Sequence, residues 1–104
     1  MATTVQSLNN RIRKKIKSHK NTDWYMYRKY KDSEYISLEW VRNELKKSSR
    51  CRLCGTEMKL TEWEPDDPKQ FSVDRLKNWV AHVKLNCQLT CLGCNRQKEG
   101  AVSL

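Results

Sequence analysis

The sequence predicts a small α+β domain with a basic helical extension at its N-terminus. Its 104 residues are enough chain for one domain. Apolar residues recur at helical spacing in the first half, whereas the second half holds two short segments typical of β-strands. Two pairs of closely spaced cysteines flank those segments. Because a chain this small buries a modest fraction of its surface, we expect a cross-link or a bound metal ion to stabilise it.

The first predicted helix covers residues 5–20. Four apolar residues lie three, four and four positions apart and share one narrow face. They are Val5, Leu8, Ile12 and Ile16. The other faces are cationic, and we interpret them as an arm that contacts phosphates, since crowded positive charges repel one another unless a partner neutralises them. A solvated helix surface is the alternative. The predicted nucleic-acid-binding residues are Arg11, Arg13, Lys14, Lys15, Lys17 and, near the C-terminus, Lys98.

Residues 22–35 mix aromatic and basic side chains. The aromatic ones are Trp24, Tyr25, Tyr27, Tyr30 and Tyr35. Such a mixture can stack on bases and pair with phosphates, but aromatic rings more often form the core of a small domain. We therefore predict a core role for these rings. The extension is taken as residues 1–35 and the main domain as residues 36–104.

A second helix is predicted to begin near Leu38. Ser37 is a suitable N-cap residue, and Glu39 in the first turn complements the helix dipole. Ile36 and Val41 occupy the two positions of a hydrophobic staple. The helix is expected to end before the first cysteine pair.

The second half is predicted to contain a loop, two strands and a short helix. Residues 61–70 carry several acidic side chains and two prolines, which indicates a solvated surface loop. Residues 71–76 and 87–90 are the predicted strands. The last helix is expected to begin at Cys94 and to stop at Gly100, because glycine is common just after a helix C-terminus.

The charge balance indicates a polyanionic partner. The chain has 21 Lys and Arg against 12 Asp and Glu, a formal net charge of +9, and nucleic acid is the commonest partner of such a surface. No apolar run approaches membrane-spanning length, and positive charges occupy the region where a signal peptide would be apolar. We therefore expect an intracellular protein, cytoplasmic or nuclear, with no membrane partner.

The cysteines predict a structural zinc site. Cys51 and Cys54 are separated by two residues, as are Cys91 and Cys94, and a long insert separates the two pairs. This is the spacing of a four-cysteine zinc site, in which each tight turn presents two thiolates to a tetrahedral ion. A set of buried free thiols is the alternative. The fifth cysteine, Cys87, lies on a predicted strand and is expected to face the core.

The insert and the second cysteine pair carry a further pattern. It consists of Asp74 followed by Arg75, then His82 and Asn86, and then Asn95 directly after the last cysteine, with Lys98 nearby. Over about residues 36–100 this pattern resembles the HNH endonucleases, the zinc-ribbon branch of the ββα-metal or His-metal finger nucleases. The helix that precedes the first cysteine pair also looks like that of small phage, viral and mobile-element members.

The resemblance implies a ββα-metal fold and metal-dependent cleavage of DNA. In such a fold Asp74 and Asn95 would be ligands of a second, catalytic cation, Mg²⁺ or Mn²⁺, for which oxygen donors are suitable. Asn86 would pin the loop between the two strands. Taken singly, the same residues are an ordinary strand-end Asp, a turn Asn and an Asn at a helix N-terminus. Duplex DNA is the expected substrate, and a protein partner or a homodimer is left open.

One position departs from the family pattern. The general base of the family is usually a His directly after the Asp, and here that residue is Arg75, whose guanidinium cannot accept a proton at neutral pH. His82 is then the candidate base, and Arg75 a candidate to stabilise charge on the phosphate. His19 is expected at the surface. The alternatives are a non-catalytic zinc-finger module or subunit that binds DNA or RNA, and a component of a large ribonucleoprotein.

Overall fold

The computed structural model describes residues 4–62 and 64–102 and has the α+β composition that the sequence predicts. Three helices and a two-stranded antiparallel sheet follow one another along the chain. In order they are α1 (Thr4–Tyr25), α2 (Leu38–Lys47), β1 (Phe71–Arg75), β2 (Cys87–Cys91) and α3 (Leu92–Val102). Two single 3₁₀ turns, Asp32–Glu34 and Lys84–Asn86, precede α2 and β2. Within the described residues, no helix is both long and apolar enough to cross a membrane.

The sheet pairs β1 with β2 from Phe71 opposite Cys91 to Arg75 opposite Cys87. Strand β1 ends one residue earlier than predicted and β2 ends one residue later. Most residues of both strands are buried, and α3 packs against both of them. This register sets Asp74 beside Gln88, toward the opposite end of the hairpin from Cys91.

Helix α1 is longer than the sequence predicts, continuing to Tyr25 instead of ending near residue 20. Ile12 is buried in the core, and Leu8 and Ile16 pack against that core, as the apolar face predicts. Val5 at the start of the same face is exposed. Tyr35 lies in the same core cluster. The boundary at residue 35 stays a prediction.

Helix α2 begins as predicted. The Ser37 hydroxyl accepts a hydrogen bond from the backbone N–H of Trp40 at 3.1 Å, which satisfies one of the free amides of the first turn. Ile36 and Val41, the staple pair, are both buried. Lys46 and Lys47 lie in the last turn, where they complement the helix dipole.

Helix α3 differs from the prediction at both ends. It begins at Leu92 and continues through Gly100 to Val102, so the expected stop at Gly100 was wrong. The early start has a local cause, because the carbonyls of Gln70 and Pro68 accept hydrogen bonds from the first two amides of the helix, each at 2.9 Å. Gly93 permits this approach, since a Cβ there would lie 3.2 Å from the Pro68 side chain.

The aromatic segment is not the core element that we predicted. Tyr35 is buried and Tyr30 packs beside it with ring centroids 4.4 Å apart, which agrees with the prediction. Trp24, Tyr25 and Tyr27, however, are exposed. These three follow the last buried residue of α1, where the chain leaves the helix and has no other element to pack against.

Candidate functional site

The four predicted cysteines come together as a cluster that could hold a metal ion such as zinc. The Sγ atoms of Cys51, Cys54, Cys91 and Cys94 all lie within 4.8 Å of one another. The Sγ atoms of Cys54 and Cys91 are 3.8 Å apart. A tetrahedral ion with Zn–S bonds of about 2.3 Å separates its sulfur ligands by about 3.8 Å, so this spacing fits zinc and excludes a disulfide.

The local backbone explains how the cysteines converge. Gly55 has a φ of 77° and its N–H bonds to the Cys51 carbonyl at 2.9 Å, which closes the first turn. The amides of Leu53 and Cys54 donate to the Cys51 Sγ at 3.4 and 3.5 Å. Burial alone would raise the pKa of Cys51, but these and other backbone donors lower it to about 6. The thiolate form, which binds metal, is thereby favoured at Cys51, whereas the neighbouring thiols of Cys91 and Cys54 raise the pKa of Cys94 to about 12.

The remaining cysteine lies outside the cluster. Cys87 is buried in the hydrophobic core at the start of β2, as predicted. Burial raises the pKa of its thiol to about 12, so it stays protonated at neutral pH. Cys87 therefore behaves as a small apolar side chain.

A polar cavity of about 260 Å³ lies at the end of the sheet. It brings together the four residues that were predicted to be catalytic and Lys98, which was predicted to bind nucleic acid. They are Asp74, Arg75, His82, Asn95 and Lys98. Helix α1 supplies part of the wall through Ser18, His19 and Thr22, which the sequence analysis did not place there.

Two oxygen-bearing side chains of the cavity are held by neighbours. Asp74 is buried, and its Oδ2 accepts hydrogen bonds from Gln88 Nε2 and Lys98 Nζ, each at 2.9 Å. Asn95 donates through Nδ2 to the Ser72 hydroxyl at 3.2 Å. Because Asp74 is bonded through Oδ2 and Asn95 through Nδ2, the Oδ1 atom of each side chain is the oxygen that can bind a cation.

His82 is bound to a buried carboxylate that sequence reasoning missed. Asp23 accepts a hydrogen bond from Nδ1 of His82 at 2.9 Å and another from the His82 backbone N–H at 3.0 Å. The Tyr35 hydroxyl and the Arg28 guanidinium donate to the same carboxylate at 2.7 and 3.2 Å. Burial alone would raise the pKa of Asp23, but these donors outweigh it and lower the pKa, so the group is a carboxylate at neutral pH.

The Asp23 contact assigns roles to the two imidazole nitrogens. A carboxylate accepts and does not donate, so Nδ1 of His82 carries the proton and Nε2 has a free lone pair when the ring is neutral. Burial lowers the pKa of His82, while Asp23 opposes that shift. The ring is therefore neutral at pH 7 and can accept a proton through Nε2.

His19 is a cavity residue, and its predicted surface location was wrong. It stacks on His82 with ring centroids 4.0 Å apart and an interplanar angle of 20°. Burial lowers the pKa of His19 to about 3, and repulsion from Lys15 and from the protonated form of His82 adds to the shift. The physical reason is its position on the helix, because His19 follows Ile12 and Ile16 on the face of α1 that packs against the core.

The loop between the strands is fixed by Asn86 and Arg75. Asn86 Oδ1 accepts from the backbone N–H of Lys77 at 3.0 Å, and its Nδ2 donates to the carbonyl of Ala81 at 3.2 Å, which is the pinning role that the resemblance implied. Arg75 donates through Nη1 to the carbonyls of Asn78 and Val80. Its guanidinium therefore forms a fixed positive wall of the cavity.

The cationic residues of α1 fall into two groups. Arg13, Lys14 and Lys17 are exposed, as expected of residues that contact a partner. Lys15 is partly buried, donates to Gln70 Oε1 at 3.4 Å and lies 5.0 Å from the centre of the Phe71 ring. Lys15 therefore packs against the sheet, and the nucleic-acid role of the exposed group stays a prediction.

Comparisons of this chain with protein-family models, with curated proteins and with solved structures found no match. The function is accordingly inferred from the chemistry of the cavity itself. That chemistry combines a neutral imidazole backed by a carboxylate, two positive side chains and two oxygen donors within one space.

Proposed function

We propose that this chain is a metal-dependent endonuclease of the HNH type that hydrolyses phosphodiester bonds in DNA. The observation that carries the proposal is the hydrogen bond between Asp23 and His82 at the wall of the polar cavity, which is the catalytic cavity of the proposed enzyme. A buried carboxylate that orients a neutral histidine is the arrangement of a general base. The net charge of +9 favours a polyanionic substrate.

His82 takes the role of the base in this proposal. Its Nε2 accepts a proton from a water molecule as the water attacks the phosphorus. The phosphorus–oxygen bond to one deoxyribose breaks in the same displacement, and the leaving oxygen is protonated by solvent water. The imidazolium that forms is stabilised by Asp23, which already holds Nδ1 at 2.9 Å and loses no contact during the step. His19, stacked on the ring, limits the orientations that the imidazole can adopt.

The positive side chains of the cavity support phosphate binding. Lys98 Nζ lies 2.9 Å from Asp74 Oδ2 and 2.8 Å from the Arg75 carbonyl, so its ammonium is fixed at the cavity wall. The Arg75 guanidinium is fixed by the loop carbonyls. Groups that are already oriented stabilise the developing charge on the phosphate without a reorganisation cost.

Asp74 and Asn95 are the residues that would hold a catalytic Mg²⁺ or Mn²⁺. Both offer Oδ1, an oxygen donor of the kind these hard cations prefer, and both line the same cavity. The short contact between Asp74 and Lys98 indicates that positive charge is favourable at this carboxylate. When bound, the cation supplies Lewis-acid stabilisation of the phosphate oxygens and of the leaving oxygen.

The ion pair between Lys98 and Asp74 also favours a second candidate function, a non-catalytic zinc-finger module that binds nucleic acid. Lys98 already neutralises Asp74, and Arg75 occupies the position of the usual family base. A scaffold with this arrangement keeps the cysteine cluster and the basic surface without cleaving. Binding without cleavage under every divalent cation is the behaviour that distinguishes it.

A cleavage assay on labelled duplex DNA tests the proposal. We expect the wild type to cut with added Mg²⁺ or Mn²⁺ and not without it. Asn95→Ala should abolish cutting while the zinc content stays at the wild-type value, because Asn95 is not in the cysteine cluster. Arg75→His offers a converse test, since it supplies the usual family base. If the wild type binds but never cuts and Arg75→His cuts, the binding module is the correct function.

A further inference from the structure

The end of α1 presents a group of exposed aromatic side chains, here called the aromatic turn (residues 24–30). Trp24 is 73% exposed and Tyr27 is 90% exposed, and Tyr25 lies edge-on to Trp24 with ring centroids 5.3 Å apart. These rings line a cavity of about 770 Å³ together with Arg28 and Lys29. Large apolar surface of this kind is unusual on a small domain and marks an interaction site.

The backbone of the aromatic turn holds Tyr27 in a conformation that tyrosine rarely adopts. The N–H of Arg28 bonds to the Asp23 carbonyl at 2.9 Å and the N–H of Tyr27 to the Trp24 carbonyl at 3.2 Å. This is the Schellman ending of a helix, and it places Tyr27 at the position normally taken by glycine, with a φ of 55°. A tyrosine in this strained conformation whose ring is 90% exposed adds little to the core, and its ring is available for binding.

The aromatic turn lies next to the catalytic cavity. Asp23 lines the 770 Å³ cavity of the aromatic turn, and His82 lines the catalytic cavity. The 2.9 Å hydrogen bond between Asp23 and His82 therefore connects the walls of the two cavities. His19, which also lines the catalytic cavity, precedes Trp24 by five residues on α1. That separation is about 7.5 Å along the helix axis.

We propose that the aromatic turn binds unpaired nucleobases. Exposed rings beside the exposed Lys29 provide the two features that single-stranded nucleic acid needs, namely flat faces for stacking and positive charge for the phosphates. Bases of an intact duplex are stacked on one another and cannot use these faces. This inference rests on the proposed function and names its substrate, which is DNA with a single-stranded segment beside a duplex.

Binding measurements test the aromatic turn independently of cleavage. The probes are a short oligothymidine strand and a duplex of equal length, titrated by fluorescence anisotropy without added divalent cation. The double variant Trp24→Ala with Tyr27→Gly should lower the affinity for the single strand by about ten-fold or more, while the duplex affinity changes by less than about two-fold. The midpoint of urea unfolding should be unchanged or raised, because glycine suits the left-handed position.

Trp79→Ala is the matched control, since Trp79 is 75% exposed on the loop between β1 and β2. It should leave both affinities unchanged. An equal loss for strand and duplex, or no loss for the strand, overturns the proposal. So does a wild-type dimer that the double variant dissociates, which would assign the aromatic turn to contact between two copies. If the wild type cuts an intact duplex as fast as a duplex with a single-stranded overhang, the proposed nuclease activity is supported and the proposed single-stranded substrate is wrong.

Discussion

Replacing His82 with asparagine tests the proposed base most sharply, because it separates proton transfer from structure. His82 is buried, and its Nδ1 donates to Asp23 at 2.9 Å. The amide nitrogen of asparagine can occupy the position of Nδ1 and keep that hydrogen bond, whereas nothing replaces Nε2. His82→Asn should therefore retain the contact with Asp23 and lose only the group that accepts the proton.

The expected magnitudes follow from these contacts. A positioned general base contributes about 10²–10⁴-fold to a rate, so the single-turnover cleavage rate of His82→Asn should fall by that factor while DNA affinity stays constant. His82→Ala should show the same loss of rate. It should also lower the free energy of unfolding by about 1–3 kcal/mol, because Asp23 loses one of its donors in a buried position.

The pH profile provides a second readout of the same group. His82 must be neutral to accept a proton, and burial lowers its pKa from the usual 6.5. The wild-type rate should therefore be independent of pH near 7 and fall only below pH 6.5, as the imidazole becomes protonated. A His82→Asn protein that cuts at the wild-type rate with the same pH profile refutes His82 as the base.

Three further predictions concern the metal, the basic surface and the histidine stack. Purified protein should contain one zinc ion per chain. Cys91→Ser should unfold the protein, since structural zinc contributes on the order of 10 kcal/mol to folding, whereas Cys87→Ser should keep the zinc. Folded wild-type protein without zinc would contradict the zinc site. Neutralising exposed α1 cations should reduce the slope of log affinity for duplex DNA against log salt concentration by about 0.9 per lost phosphate contact. An unchanged slope would mean that these cations face solvent and do not contact phosphates. The variant for this test replaces Arg13, Lys14 and Lys17 with glutamine. Finally, the free energy of unfolding should decrease as pH falls below 6.5, because the unfolded chain protonates His19 at a higher pH than the folded protein does. His19→Phe should make that decrease smaller than in wild type when both proteins are unfolded with urea at several pH values. Equal decreases in the two proteins would mean that His19 titrates normally.

Local signals in the sequence were sufficient for several elements. The spacing of the cysteine pairs predicted the cluster, because two-residue separations impose a tight turn regardless of the rest of the fold. Ser37 predicted the start of α2 for a similar reason, since an N-cap hydrogen bond spans three residues. The two strands were predicted to within a residue at each end.

Contacts between distant parts of the chain were not predictable from local pattern. Asp23 and His82 are 59 positions apart, and no periodicity connects them. His19 was placed at the surface because it lies among basic residues, yet it follows Ile16 on the buried face of α1 and stacks on His82. The exposed rings of the aromatic turn were assigned to the core by the usual behaviour of aromatic residues, which holds for Tyr35 but not for Trp24.

Plasmid cleavage by the wild type beside Asp74→Ala, with and without Mg²⁺ or Mn²⁺, tests the central claim most directly. Asp66→Ala is the matched control, because Asp66 is an exposed carboxylate in the loop before β1. The proposed nuclease requires that the wild type and Asp66→Ala convert supercoiled plasmid only with the cation and that Asp74→Ala converts none. Wild-type protein that binds the plasmid without cutting it under any divalent cation, or Asp74→Ala protein that cuts as well as the wild type, contradicts a metal-dependent reaction at this cavity.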